Sequence, residues 1–289
     1  MVSEYQQLFE SILFESFGYD VEVLDFSLAA AGTVNTGARV VSSEGVFFCK
    51  LNELPESDFF EPEAKDLALI SECLRVPSVQ STGKSQGHNF LLMEFLPEAP
   101  ASKSSMENAG RQLARLHQIR NQAHGHPYTN RLASLEQDNQ WKTDGINFLI
   151  QNRILPLIGY CLMEEKISLD LYKRIEALCG RLGKIIPEEQ ASLLHGDLWS
   201  GNLLSAPGPE PVFIDPAAYY GFRESELAFT YLFGGFEPAF YEAYLEIFPL
   251  EPGFGERISI YHLHPLLVHV YLFGSGYIAG LERILKRFS

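Results

Sequence analysis

From Glu4 to Phe17, apolar side chains at Leu8, Ile12, Leu13 and Phe17 recur near the helical period and predict an amphipathic opening helix. The period then shortens. Three strand-like runs follow, "VEVLDFSL", "GARVVS" and "GVFFCKL", and the turn "SSEG" joins the last two as a hairpin. "EPEAKDLALISECL" returns to helical spacing, with Pro62 suited to its first turn. "RVPSVQST" and "HNFLLMEFL" then read as strands on either side of the turn "GKSQG".

After "LPEAPASKSS" the texture changes. "MENAGRQLARLHQI", "WKTDGINFLIQNRILPLI" and "LDLYKRIEALCGRLGKII" are helical patterns, and "ESELAFTYLF" and the tail continue in that vein after a short strand, "PVFID". The pattern predicts an α+β chain: a small N-terminal sheet lobe with one helix, residues 1–95, and a larger, mainly helical lobe, residues 96–289. Clefts between lobes are frequent ligand sites.

Hydrophobic residues at 46% and charged residues at 20% fit a folded globular protein and exclude a disordered one. With 22 Lys and Arg against 37 Asp and Glu, the formal charge of −15 argues against nucleic acid or an anionic membrane as a principal partner. Cys49, Cys73, Cys161 and Cys179 form no C-x-x-C pair and read as buried, reduced thiols. The stretch "HLHPLLVHVYLFGSGYIAGL" lacks acidic and basic residues, but its histidines, proline and glycines suit a broken core helix better than a membrane span. The start "MVSEYQQLFE" has no signal-peptide pattern, so a cytoplasmic protein is expected. Subunit assembly is not legible.

The segment "LLHGDLWSGNLL", residues 193–204, puts a polar turn between apolar ends. Phosphoryl transfer from ATP needs an acid to orient an acceptor hydroxyl and oxygen ligands for the bridging Mg²⁺. In the kinase pattern an asparagine follows the acid by five residues, and a second aspartate follows the next strands. Asp197 and Asn202 have that spacing, and Asp215 ends "PVFID". Each has a bland reading as a turn residue; their order and spacing together favour Asp197 as base and Asn202 and Asp215 as metal ligands. Lys50, ending "VFFCK", suits contact with phosphates, although a lone strand-end lysine would read as surface. Glu63 on the next helix is the preferred partner for Lys50. Glu61 competes, but a helix turns the two about 200° apart. Met93, Glu94 and Phe95 in "MEFL" lie where a linker would offer backbone groups to adenine.

These residues carry a family resemblance. "LLHGDLWSGNLL", "FIDPAAYYGFRESELAFTYLFGGF" and "HPLLVHVYLFGSGYIAGLERILKRF", with "FFCK", "FFEPEA", "LLMEF" and "GRQLARLH" in order, resemble the fructosamine kinase (ketosamine-3-kinase) family across nearly the whole chain. The resemblance implies the bilobal protein-kinase-like fold of aminoglycoside and choline phosphotransferases. It also implies Mg-ATP-dependent phosphorylation of a sugar hydroxyl on a ketosamine, such as a fructosamine or ribulosamine adduct of lysine. Trp199 would lie against that sugar, a large contact at small entropic cost. Its bland reading is packing beside Leu198. His195 suits bracing the loop more than proton transfer. Paired glycines are expected in the first hairpin, but "AAAGTVNTG" has Ala31 at the first of them, leaving Gly32 to approach the phosphates, with Thr33 and Asn35 beside it.

Rival motifs fall short. "STGKS" imitates the end of a phosphate-binding P-loop, but Ser78 stands where the pattern needs glycine, and a strand follows in place of a helix. His262, His264 and His269 lack neighbouring carboxylates or cysteines and read as packing residues. A related kinase acting on an aminoglycoside or another metabolite, or a binding module without turnover, stays open at this stage.

Overall fold

The computed structural model describes residues 2–31, 35–55, 58–208 and 210–288. The chain forms two compact units. The first gathers residues 1–105, 130–136 and 202–217, and the second residues 106–129, 137–201 and 218–289.

The first unit opens with helix α1, Val2–Phe17, followed by strands β1 (Val23–Ala31), β2 (Asn35–Ser42) and β3 (Gly45–Asn52). Helix α2 (Glu61–Ile70) and strands β4 (Val79–Ser85) and β5 (His88–Glu94) complete it. The strands form one antiparallel sheet in the order β1-β2-β3-β5-β4. The helical stripe of α1 explains its docking: Leu8, Phe9, Ile12 and Leu13 pack with Val40, Cys49, Leu51, Phe90 and Leu92 from the sheet.

The β4–β5 turn is tighter than "GKSQG" suggests. Lys84 and Ser85 remain in β4, and only Gln86 and Gly87 take positive φ, at 47° and 86°. "STGKS" is therefore strand, with no helix at its end. The predicted break in the apolar tail falls at Gly274, φ 88°, between helices Leu263–Phe273 and Ile278–Phe288.

The second unit is built on helix α3, Lys103–His117, of which residues 106–117 belong to this unit, and on the helices that follow. Gly145–Met163 is the one helix among the described residues long and apolar enough to cross a membrane, at 19 residues and mean hydropathy 1.2. Within it Arg153 is buried and bonded to Asn139 Oδ1 at 2.6 Å and to the Asp138 carbonyl at 2.8 Å. Its guanidinium also lies over the rings of Phe148 and Tyr219, so this helix carries a buried cation, held by hydrogen bonds and ring faces, into the protein interior.

Cys49, Cys161 and Cys179 are buried free thiols, and burial pushes the latter two up to about 11. His262 Nε2 bonds the Ala228 carbonyl at 2.7 Å, and burial beside Arg153 lowers His264 to about 3.

One close approach fixes a helix pair. A methyl group added at Gly110 on α3 would overlap the Phe240 backbone carbonyl, which no side-chain rotation relieves. Gly110→Ala is expected to cost about 2 kcal/mol or more of unfolding free energy in urea titration, whereas Gly159→Ala, where the added methyl meets nothing, should not destabilise.

Candidate active site

The first unit positions a cation and its partners. In the β2–β3–β5 ladder Lys50 pairs with Gly37 on one side and Leu91 on the other, and it is only 4% exposed. That excludes the surface-lysine reading. Its ammonium donates to Glu63 Oε1 and Asp215 Oδ1, each at 2.6 Å. Burial works against the Lys50 charge, but the two carboxylates more than offset it, and its pKa lies above the ordinary value. Glu61 points elsewhere on α2, into an ion pair with Lys65 at 2.7 Å, which resolves the choice in favour of Glu63. Burial pushes the Glu63 carboxyl up, aided by Asp215 and Asp66 and opposed by Lys50.

Asn202 and Asp215 are brought together by a small hairpin in the same unit. Strands Leu203–Ser205 and Pro211–Phe213 pair antiparallel, and the Ile214 amide donates to the Asn202 carbonyl at 3.1 Å. Asn202 thus enters the hairpin and Asp215 leaves it. Asp215 holds a left-handed φ of 57°, unfavourable for an aspartate and of the kind that marks functional sites. An amide oxygen and a carboxylate are hard donors of the kind Mg²⁺ takes, usually one or two per ion with phosphates and water supplying the rest. No group of three His, Cys, Asp or Glu among the described residues could hold a metal alone.

Of the three residues expected in the linker, Met93 and Glu94 end β5, and Glu94 is partly committed. Its amide donates to the Ser78 carbonyl at 2.9 Å, and its carboxylate takes Arg75 at 2.5 Å and the Ser78 amide at 3.1 Å. Met93 is buried in β5, and the Phe95 ring lies under Arg39 at 5.3 Å. Gly32 lies outside the described residues.

The second unit holds the loop that carries Asp197. Strand Ala191–Leu194 sits centrally in a three-stranded sheet between Tyr219–Gly221 and Arg120–Asn121. Beyond it the backbone turns at Gly196, φ 88°, a conformation costly for any residue with a Cβ. The turn is tied down by Glu226, from helix Arg223–Leu232: its carboxylate accepts the His195 amide at 3.0 Å and the Gly196 amide at 2.6 Å. His117 Nε2 donates to the same carboxylate at 2.8 Å, and its Nδ1 lies 2.8 Å from the Tyr244 hydroxyl. The Asp197 amide donates to His195 Nδ1 at 3.3 Å, so His195 does brace the loop. Trp199 is 38% exposed and is no core residue. Its indole covers Gly201, where an added methyl would overlap the ring.

Glu226, His117 and Tyr244 were missed in the sequence. The available signal was an acid within the apolar run "ELAF", on the helix side that the core must bury.

Such a pair of units, a five-stranded sheet with a Lys–Glu pair and a helical unit with a strand-borne acidic loop, defines a protein-kinase-like phosphotransferase. A crystal structure of an aminoglycoside phosphotransferase shares this fold at TM-score 0.66 and 15% identity, covering 98% of this chain and 99% of that one. The chain belongs to the fructosamine kinase family, whose profile matches residues 5–289. A candidate ketoamine kinase of Vibrio parahaemolyticus is 36% identical over 295 residues, 98% of this chain and 96% of that protein. A chloroplastic protein-ribulosamine 3-kinase of Oryza sativa subsp. indica is 34% identical over 276 residues, 93% of this chain and 80% of that protein. A crystal structure of a candidate fructosamine-3-kinase from Haemophilus somnus matches at TM-score 0.87 and 31% identity, covering 98% of this chain and 97% of that one.

Burial pushes the Glu226 carboxyl up, but donors from His117 and the Gly196 amide outweigh it and hold the pKa below the reference of 4.5. A depressed carboxylate stabilises the fold fully above its unfolded pKa, and that contribution is lost as pH falls through the folded value. Glu226→Gln is therefore expected to destabilise at pH 7 by about 2 kcal/mol, with the gap from wild type closing below pH 4.5. Urea titrations stepped downward from pH 7 check this; a gap that does not narrow as pH falls would assign the loss to packing alone.

Proposed function

We propose that this protein transfers the γ-phosphoryl group of ATP to a sugar hydroxyl, O-3, of a ketosamine, with fructosamine and ribulosamine adducts of lysine as acceptors. Phosphorylation there would serve removal of the adduct, a repair activity in the cytoplasm. The observation that carries the reading is the buried Lys50 ammonium held at 2.6 Å by both Glu63 and Asp215, in a chain that belongs to the fructosamine kinase family.

In this reading Lys50 presents its charge to the phosphates while Glu63 fixes its direction. Asn202 and Asp215 would hold Mg²⁺, which would supply charge neutralisation on the phosphate oxygens. Asp197 orients the acceptor hydroxyl and accepts its proton during direct in-line transfer. Met93, Glu94 and Phe95 meet the adenine, with the Glu94 amide already bonded to the Ser78 carbonyl. Gly32 approaches the phosphates, and the Trp199 indole lies against the sugar. Residues 1–95 then serve chiefly the nucleotide, and residues 96–289 carry the catalytic loop and the acceptor site.

The test is Mg²⁺-dependent ADP release with fructosyl-lysine, ribulosyl-lysine and an aminoglycoside as acceptors, for wild type and two variants. Turnover on a ketosamine is expected, and Asp197→Asn should lower kcat about a hundredfold or more with ATP still bound. Near-normal turnover in Asp197→Asn would remove Asp197 from the base role, and turnover on the aminoglycoside alone would reassign the acceptor. Lys50→Ala is expected to raise the KM for ATP and lower kcat together; unchanged values would take Lys50 out of phosphate binding.

A further inference from the structure

Trp199 is not isolated. Its ring meets Phe233 edge-on, with centroids 6.3 Å apart, and Phe233 lies 4.7 Å from the His269 ring. His269 in turn touches Phe273 at 5.4 Å and Tyr277 at 4.9 Å, and those last two meet at 6.2 Å. All five residues belong to the second unit. The row begins and ends at water: Trp199 is 38% exposed and Phe273 49%. Core packing accounts for neither end, because a phenylalanine half in water gives up much of its transfer free energy.

His269 adds one directed polar group. Its Nδ1 lies 2.7 Å from the Pro265 carbonyl, an acceptor, so Nδ1 carries the hydrogen. Burial lowers the pKa of His269, which keeps the ring neutral near pH 7. The second nitrogen, Nε2, is then a lone-pair acceptor within the aromatic row.

A ketosamine differs from a plain sugar by one secondary amine, protonated near neutral pH, attached beside the sugar ring and continued by an alkyl chain. Aromatic faces attract a cation through the ring quadrupole and cover an alkyl chain by contact. A neutral imidazole nitrogen accepts an ammonium N–H. We propose that Phe233, His269, Phe273 and Tyr277 form the amine subsite of the acceptor, reading the ammonium and its alkyl chain while Trp199 lies against the sugar. This rests on the ketosamine kinase reading above and extends it: the row selects for the amine, not for the sugar.

The test compares kcat/KM for an N-alkyl ketosamine with that for the matching ether, in which oxygen replaces the amine nitrogen. Wild type is expected to favour the ketosamine by about tenfold or more. Phe273→Ala, at an exposed position that the fold tolerates, should cut that ratio several-fold, and Phe273→Tyr, which keeps a π face, should restore it. His269→Gln gives an independent reading, with thermal unfolding confirming that each variant is folded. A wild-type ratio near one, or a ratio unmoved in both Phe273→Ala and His269→Gln, overturns the amine subsite while leaving the kinase reading intact. Absence of wild-type turnover on any ketosamine overturns both.

Discussion

A lysine ammonium removed from water must find counter-charge or lose its proton. Lys50 finds two carboxylates, one from α2 and one from just beyond the Leu203–Phe213 hairpin, and this triangle ties β3 to the neighbouring α2 and to a hairpin 165 residues further along the chain. The attachment is strict. Removing one member of such a buried set leaves a charge uncompensated, at about 3–5 kcal/mol. The sheet must place Lys50 on its inward face, α2 must present Glu63 while Glu61 faces solvent, and the hairpin must deliver Asp215 in a left-handed conformation. What the pairing gives in return is a desolvated charge held in one direction by two carboxylates.

The second unit meets the same requirement with different means. The loop bearing Asp197 is short, turns at a glycine, and has backbone amides that its own strand leaves unpaired. Glu226 takes two of these amides, and His117 with Tyr244 satisfies the carboxylate in turn. The loop is thus held from behind, and Trp199 beyond it remains 38% exposed.

The aromatic row is assembled from separate parts of the second unit. Trp199 stands two residues beyond Asp197, but Phe233, His269, Phe273 and Tyr277 come from a helix end, a second helix and the 3₁₀ turn after Gly274. The glycine interrupts an apolar helix, and the interruption leaves Phe273 facing water. A break in secondary structure here creates surface chemistry that an unbroken core helix would have buried.

The periods along the chain, by themselves, determined the sheet-then-helices order, the first hairpin, α1 and its apolar stripe, and the spacing of Asp197, Asn202 and Asp215, because these depend on neighbours within one element or one loop. Lys50 was legible by its place at a strand end, and its burial was not. The choice between Glu63 and Glu61 was half legible: helical geometry said that one of them faces inward, and only the packing of α2 said which. Glu226, His117 and Tyr244 escaped because a buried carboxylate looks like a surface one until its partners are known, and those partners lie 109 and 31 residues away in the chain. The two-residue β4–β5 turn and the aromatic row were decided in the same way. Hydrogen-bond satisfaction and ring contacts are properties of what the folded chain brings together, and no local pattern encodes them.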